Sequence, residues 1–177
     1  MPRVVALVGG ECTGKSTLAR ALSDSLPASI VPEALRAFTE AHRRVPRREE
    51  QVEIVMAQQA GEAETIAETP LDWVVCDPAT LMTAIYSRIY YDDEALTDAA
   101  IVHAELTYDA IIWCDRDLPW TPDSGQRDGA EWRDRAHEAL TQILPRINIP
   151  IFVASGSESD RLAGTLEFLA HIAQTDR

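Results

Sequence analysis

Arg3-Val4-Val5-Ala6-Leu7-Val8-Gly9-Gly10-Glu11-Cys12-Thr13-Gly14-Lys15-Ser16-Thr17-Leu18 decides how this chain folds. An apolar run gives way to a glycine-bounded loop, and the loop to a helical pattern over 15 to 26, which reads as buried strand, tight loop and helix in that order. The loop fits G-x-x-x-x-G-K-[ST] at every fixed position. Gly9 and Gly14 let the backbone turn its N–H groups onto phosphate oxygens, with Gly10, Glu11, Cys12 and Thr13 supplying the amides between them. Lys15 is the only lysine; every other strongly basic side chain is arginine. A compact ammonium on a flexible stem fits a closed phosphate cradle where a planar guanidinium is too wide. Ser16 places a hydroxyl where Mg²⁺ would sit, Thr17 follows it, and the helix start adds its positive end to the same anion. Nucleotide binding is the premise of everything that follows.

Working outward, short apolar runs alternate with longer helical patterns, the signature of a parallel sheet covered by helices on both faces. Strands are expected near 3 to 8, 28 to 32, 71 to 77, 108 to 114 and 149 to 154. Helices are expected over 15 to 26, 33 to 44, 47 to 68, 79 to 91, 94 to 106, 131 to 144 and 158 to 174. This predicts an α/β, three-layer P-loop NTPase fold with a five-stranded parallel sheet in one domain over residues 1–177. The polar stretch 115 to 130, with two prolines and two glycines, reads as a lid.

Ligands of open parallel sheets gather beyond the carboxyl ends of the strands. After the second strand stand Glu33 and, a turn later, Arg36; Glu33 is placed to accept a proton from an attacking hydroxyl. After the third stands Asp77, placed to orient Mg²⁺ or hold the phosphate acceptor. Arg116, Arg127, Arg133 and Arg135 lie in or just after the lid, and Arg127 is preferred for neutralising the moving phosphoryl group because Gly125 and Gly129 flank it. After the fifth strand, Gly156 begins a small-residue turn toward Arg161 where adenine could lie against backbone, with Ser157 as an alternative helix cap. Trp120 in the lid, with Tyr86, Tyr90 and Tyr91 on one helix, could hold a flat ring. Trp73 and Trp113 read as core.

A formal charge of −13 and a pI near 4.6 disfavour nucleic acid and anionic membranes, so an anionic ligand must be held by local positive groups. The run Arg43-Arg44-Val45-Pro46-Arg47-Arg48 is followed at once by Glu49 and Glu50 and reads as a solvated helix junction. Cys12, Cys76 and Cys114 share no metal-ligand spacing and suit a reducing cytosol. His42, His103, His137 and His171 are scattered and receive no role. With no signal peptide or bilayer-length apolar run, a soluble cytoplasmic protein is expected.

Taken together, the phosphate loop through Leu18, Glu33-Ala34-Leu35-Arg36, Asp77 followed by Tyr86-Ser87, and Trp120 with Asp123, Gly125 and Arg127 resemble the ribosylnicotinamide kinase module of the NadR family and its related small P-loop ATPases. The resemblance implies transfer of the ATP γ-phosphate to the 5′-hydroxyl of nicotinamide riboside, with Mg²⁺. Arg36, Tyr91, Trp120 and Asp123 would then help hold the nucleoside. Ala34 stands where that family often has an aromatic, the segment from Trp120 to Arg127 is a residue longer, and no stretch matches the family's fused adenylyltransferase domain. Two alternatives stay open: a regulatory ATPase switch, and a kinase for another small hydroxylated metabolite such as a deoxynucleoside. A single asparagine, Asn148, excludes an Asn-Lys-x-Asp guanine signature. No glycine triplet of the shikimate-kinase kind follows the third strand.

Overall fold

The structure, a computed structural model, describes residues 1–120 and 129–175. Val5, Ala6, Leu7 and Val8 are completely buried, which fixes β1 (Arg3–Val8) as the central strand. Helices must then lie on both of its faces. The remaining strands are β2 (Ala28–Val31), β3 (Trp73–Cys76), β4 (Ala110–Cys114) and β5 (Ile151–Ala154). All pair in parallel, in the order β2-β3-β1-β4-β5.

Side chains of β1 alternate between two cores, as strand geometry requires. Val5 and Leu7 face α1 (Lys15–Ser25) and α7 (Glu158–Thr175) through Leu18, Leu22, Leu169 and Ile172. Val4, Ala6 and Val8 face the opposite core, built with α4 (Thr80–Tyr91), α5 (Thr97–Thr107) and α6 (Ala130–Ile143). The other helices, α2 (Ala34–His42) and α3 (Gln51–Glu68), follow β2, and α3 is led by one 3₁₀ turn, Arg48–Glu50. Another 3₁₀ turn, Leu144–Arg146, closes α6.

The expected elements are present, most of them with one end or both shorter than expected. The second helix stops at His42 because Arg43 is left-handed at φ 56°. The third starts later because Pro46 and a capping box at Arg47 and Glu50 break it from the second. The basic run is spent locally: Arg44 holds Glu50 through both nitrogens at 2.6 Å, and Arg48 holds Asp93 at 2.9 Å. These contacts pair two of the run's four arginines with carboxylates at the helix junction. Cys76 and Cys114 are buried in strands, as the apolar runs implied.

Candidate functional site

Register places the site. Cys76 at the end of β3 pairs with Val31 at the end of β2 on one side and with Ala6 of β1 on the other. The residues that follow, Glu33, Asp77 and the loop Gly9 to Ser16, therefore leave the sheet at one edge, where ligands of such sheets collect.

The loop is built to receive an anion. Gly9 has φ 149° and Gly14 φ 80°, and a Cβ on Gly9 would stand 2.6 Å from Thr13 Oγ1 and 2.8 Å from the Cys114 carbonyl oxygen, so no larger residue fits there. Thr13, 2% exposed, donates to the Gly10 carbonyl at 2.9 Å and braces the turn from inside. Helix α1 starts directly at Lys15, with Gly14 as a cap that makes no side-chain hydrogen bond and no acidic residue in the first turn. Its first amides carry the positive end of the helix dipole without a protein side chain in that role. Lys15 Nζ donates to the carbonyls of Gly9 and Gly10 at 2.9 and 2.7 Å, curling over the loop.

Facing the loop are the two strand-end carboxyls. Burial pushes the Glu33 carboxyl above the usual carboxylate range; Arg36 and Lys15 pull it down, Asp77 pushes it up, and the burial effect leads. Arg36 Nε lies 3.4 Å from Glu33 Oε2. Asp77 Oδ1 is buried and has no hydrogen-bond partner among the described residues. A buried acceptor left unpaired costs about 1–3 kcal/mol, and such an atom beside a phosphate loop is an opening for a cation or a hydroxyl. Burial also drives the Cys114 thiol up to about 11, against the pull of Lys15 and Arg161 and with the push of Asp77. These mutual influences place Lys15, Glu33, Asp77 and Cys114 in one neighbourhood.

A roof covers the loop from the β4 and α6 side. A Cβ on Gly10 would meet Arg133 Cα at 3.0 Å, and one on Gly14 would meet Leu118 Cδ1 at 3.0 Å. Arg133 Nη1 donates to the Leu118 carbonyl at 2.8 Å, and its buried Nε has no partner among the described residues. Of the lid-side arginines among the described residues, Arg133 is thus the one packed on the loop. Arg116 pairs with Asp134 at 2.7 Å on the surface, and Arg135 sits 4.5 Å over the Trp132 ring. Arg127 and Asp123 fall outside the described residues.

Arg161, 2% exposed, is committed to protein acceptors: the carbonyls of Gly156 at 3.0 Å, Thr13 at 3.0 Å and Asp115 at 3.2 Å, and the Asp117 carboxylate. Asp117 also accepts from Gly156 N at 2.6 Å. Arg161 and Gly156 therefore buttress the underside of the phosphate loop, and Thr13 is the link. Ser157 and Asp160 form a reciprocal cap on α7, so the cap reading of Ser157 holds. Tyr91, at the far end of α4 from Asp77, donates to the Pro46 carbonyl at 2.5 Å and is not brought to the loop. Trp120 is half-buried, and its buried Nε1 has no partner among the described residues.

Sequence reasoning passed over the polar residues that hold this edge in place. Glu62 is completely buried on α3; it accepts from Thr80 N and Thr80 Oγ1 at 3.0 Å, from Tyr108 OH at 2.9 Å and from His103 Nε2 at 2.7 Å. His103, given no role, is thus a structural partner. The overlooked signal was periodicity: Gln51, Ile54, Val55, Gln58 and Glu62 share one helix face, with polar side chains where apolar ones belong. Among the described residues, no three His, Cys, Asp or Glu side chains gather to hold a metal by themselves, and no helix is long and apolar enough to cross a membrane.

Comparison with known proteins agrees with this geometry. A family model described as AAA domain matches residues 4–161. The fold is similar to that of NadR protein in complex with NR, with a TM-score of 0.75 and 20% identity over 97% of this chain and 49% of that one. A complex of NadR protein with NAD and AMP-PNP gives 0.76 and 21% over the same shares. This chain thus spans about half the length of those NadR chains. Deoxyadenosine kinase from M. mycoides with products dCMP and dCDP gives 0.68 and 14% over 95% of this chain and 99% of that one. No curated protein matches at a significant level. A phosphate loop at the carboxyl edge of a five-stranded parallel 2-3-1-4-5 sheet, matched by that model from β1 to Arg161, places the chain in the AAA domain family.

Proposed function

We propose that this protein transfers the γ-phosphoryl group of ATP to the 5′-hydroxyl of a nucleoside, with nicotinamide riboside as the first candidate. The observation that carries the reading is the unpartnered Asp77 Oδ1 sharing one neighbourhood with Glu33 and Lys15. One carboxyl to take the hydroxyl proton and another to orient the hydroxyl or the metal are the two groups that transfer to an acceptor calls for.

In the reaction, the acceptor oxygen forms a bond to the γ-phosphorus, the bond to the ADP oxygen breaks, and the hydroxyl proton passes to a carboxylate. Glu33, whose carboxyl burial holds above the usual carboxylate range, is a stronger proton acceptor than a free carboxylate, and general-base catalysis is worth about 10²–10⁴ in rate. Asp77 orients the hydroxyl or the metal. The amides of Gly9 to Thr17 and Lys15 hold the β- and γ-phosphates in line. Arg133, packed on the loop, joins Arg127 as a candidate for neutralising the transferred group. Mg²⁺ held by Ser16, Asp77 and the phosphates would supply charge neutralisation, and this mode needs only one or two protein carboxylates. Arg36, Tyr91, Trp120 and Asp123 are candidates for nucleoside contacts, and Gly156 and Arg161 for the support of bound ATP.

The full-length coverage of the deoxyadenosine kinase keeps a deoxynucleoside as a second acceptor class. Incubation with ATP, Mg²⁺ and a panel of ribosides and deoxyribosides, read by mass spectrometry, tests the proposal. A monophosphate product supports it. ATP binding without any nucleoside phosphorylation, or ATP turnover raised only by a protein partner, overturns it in favour of the switch.

A further inference from the structure

The buried stripe of α3 carries Gln58 one turn before Glu62. A buried primary amide is costly unless both ends are used. Gln58, 3% exposed, uses both: its Oε1 accepts from Ala34 N at 2.9 Å, and its Nε2 donates to the Pro78 carbonyl at 3.2 Å. The two partners fix the amide orientation, since the opposite one would set donor against donor and acceptor against acceptor. Ala34 directly follows Glu33, and Pro78 directly follows Asp77.

The ladder between β2 and β3 ends at Val31 and Cys76, so ladder hydrogen bonds no longer hold the chain where the two carboxyls stand. Helix α2, which follows Glu33, has no buried residue and draws little anchoring from the core. Glu33, its N-cap, makes no side-chain capping bond. Gln58 spans the gap, while Glu62 grips Thr80 two residues beyond Pro78.

We infer that Gln58 is a positioning residue that sets the distance between Glu33 and Asp77 by tying the backbone behind each, without touching the nucleoside. Its oxygen and one of its two amide hydrogens are committed to backbone. The inference rests on the proposed phosphoryl transfer for its consequence: the proton acceptor and the group orienting the hydroxyl move apart when the tie is cut. A displacement of about 1 Å in such a site costs on the order of 100-fold in rate.

Gln58→Met keeps the length and removes both hydrogen bonds. Gln58→Glu keeps the acceptor for Ala34 and removes the donor for Pro78. Ile172→Ala, in the core on the far side of the sheet, serves as a destabilised control. With the nucleoside that the wild type phosphorylates, kcat of Gln58→Met falls about 10- to 100-fold, Gln58→Glu falls less, KM for ATP stays constant, and Ile172→Ala keeps its kcat. An unliganded measurement stands apart from any acceptor: amide exchange at Ala34 accelerates in Gln58→Met and stays slow in Gln58→Glu, while Val75 stays protected in both. The inference is overturned if Gln58→Met loses no more kcat than Ile172→Ala, or if it only raises the nucleoside KM by an amount that varies with the base. Should the wild type phosphorylate no nucleoside, the functional reading falls and Ala34 exchange alone decides the tie. Unchanged Ala34 exchange in Gln58→Met sinks the tie even where the kinase is active.

Discussion

Replacing Tyr108 by phenylalanine removes one hydroxyl and leaves the ring, so the cost isolates what that hydroxyl does for the buried Glu62. The hydroxyl lies 3.0 Å from Oε1 and 2.9 Å from Oε2, in a site where both residues are at most 4% exposed. Without it, Oε1 keeps Thr80 N and Oγ1, and Oε2 keeps His103 Nε2 at 2.7 Å, so the carboxylate is weakened but not orphaned. Hydrogen bonds to charged groups contribute about 1.5–3 kcal/mol, and partial compensation puts this one near 2 kcal/mol. For a chain of this size that lowers the melting temperature by about 4–8 °C. Tyr91→Phe is the comparison: its hydroxyl meets a neutral carbonyl at a half-buried site, worth about 1 kcal/mol. Paired thermal and urea unfolding measures both. Tyr108→Phe costing no more than Tyr91→Phe would refute the account of Glu62 as the buried anchor of the β3–α4 turn.

Gly9→Ala forces a Cβ to within 2.6 Å of Thr13 Oγ1 and 2.8 Å of a backbone oxygen at φ 149°; it should cost at least ~2 kcal/mol and weaken ATP binding at least tenfold, read by calorimetry and urea unfolding. Arg161→Met removes a buried cation from three carbonyls and Asp117, and should destabilise by about 3 kcal/mol and raise KM for ATP while leaving KM for the nucleoside alone; unchanged ATP affinity would detach Arg161 from the loop. Because the folded state raises the Glu33 pKa, its net contribution to stability is present in acid and lost as pH rises through the folded value. Glu33→Gln should therefore melt higher than wild type at pH 7, with the gap closing as pH falls toward ~4, and a constant gap across that range would contradict the shift.

What was legible in the sequence is what depends on neighbours along the chain. The phosphate loop needs its glycines and lysine at fixed spacing, and strand ends are marked by an apolar run meeting a carboxylate, as at Cys76-Asp77. Gln58, Glu62 and Tyr108 were not legible as a group, because their partners lie far away in sequence: Glu62 reaches Tyr108 across 46 residues and Gln58 reaches Ala34 across 24. Only the misplaced polarity on the buried face of α3 announced them. Arg161 read as part of a nucleotide-binding turn where adenine could lie against backbone, and its commitment to Thr13, 148 residues away, is a tertiary fact that no local pattern encodes. Arg133 was one basic residue among several until the fold laid its backbone against Gly10.

Calorimetric titration of a nonhydrolysable ATP analogue with Mg²⁺, into wild type and Lys15→Ala, tests the central claim that this loop grips a triphosphate. Loss of one charge-assisted contact to phosphate, worth about 1.5–3 kcal/mol, predicts affinity reduced by roughly 10- to 150-fold with the fold intact. Equal affinities for the two proteins would contradict it.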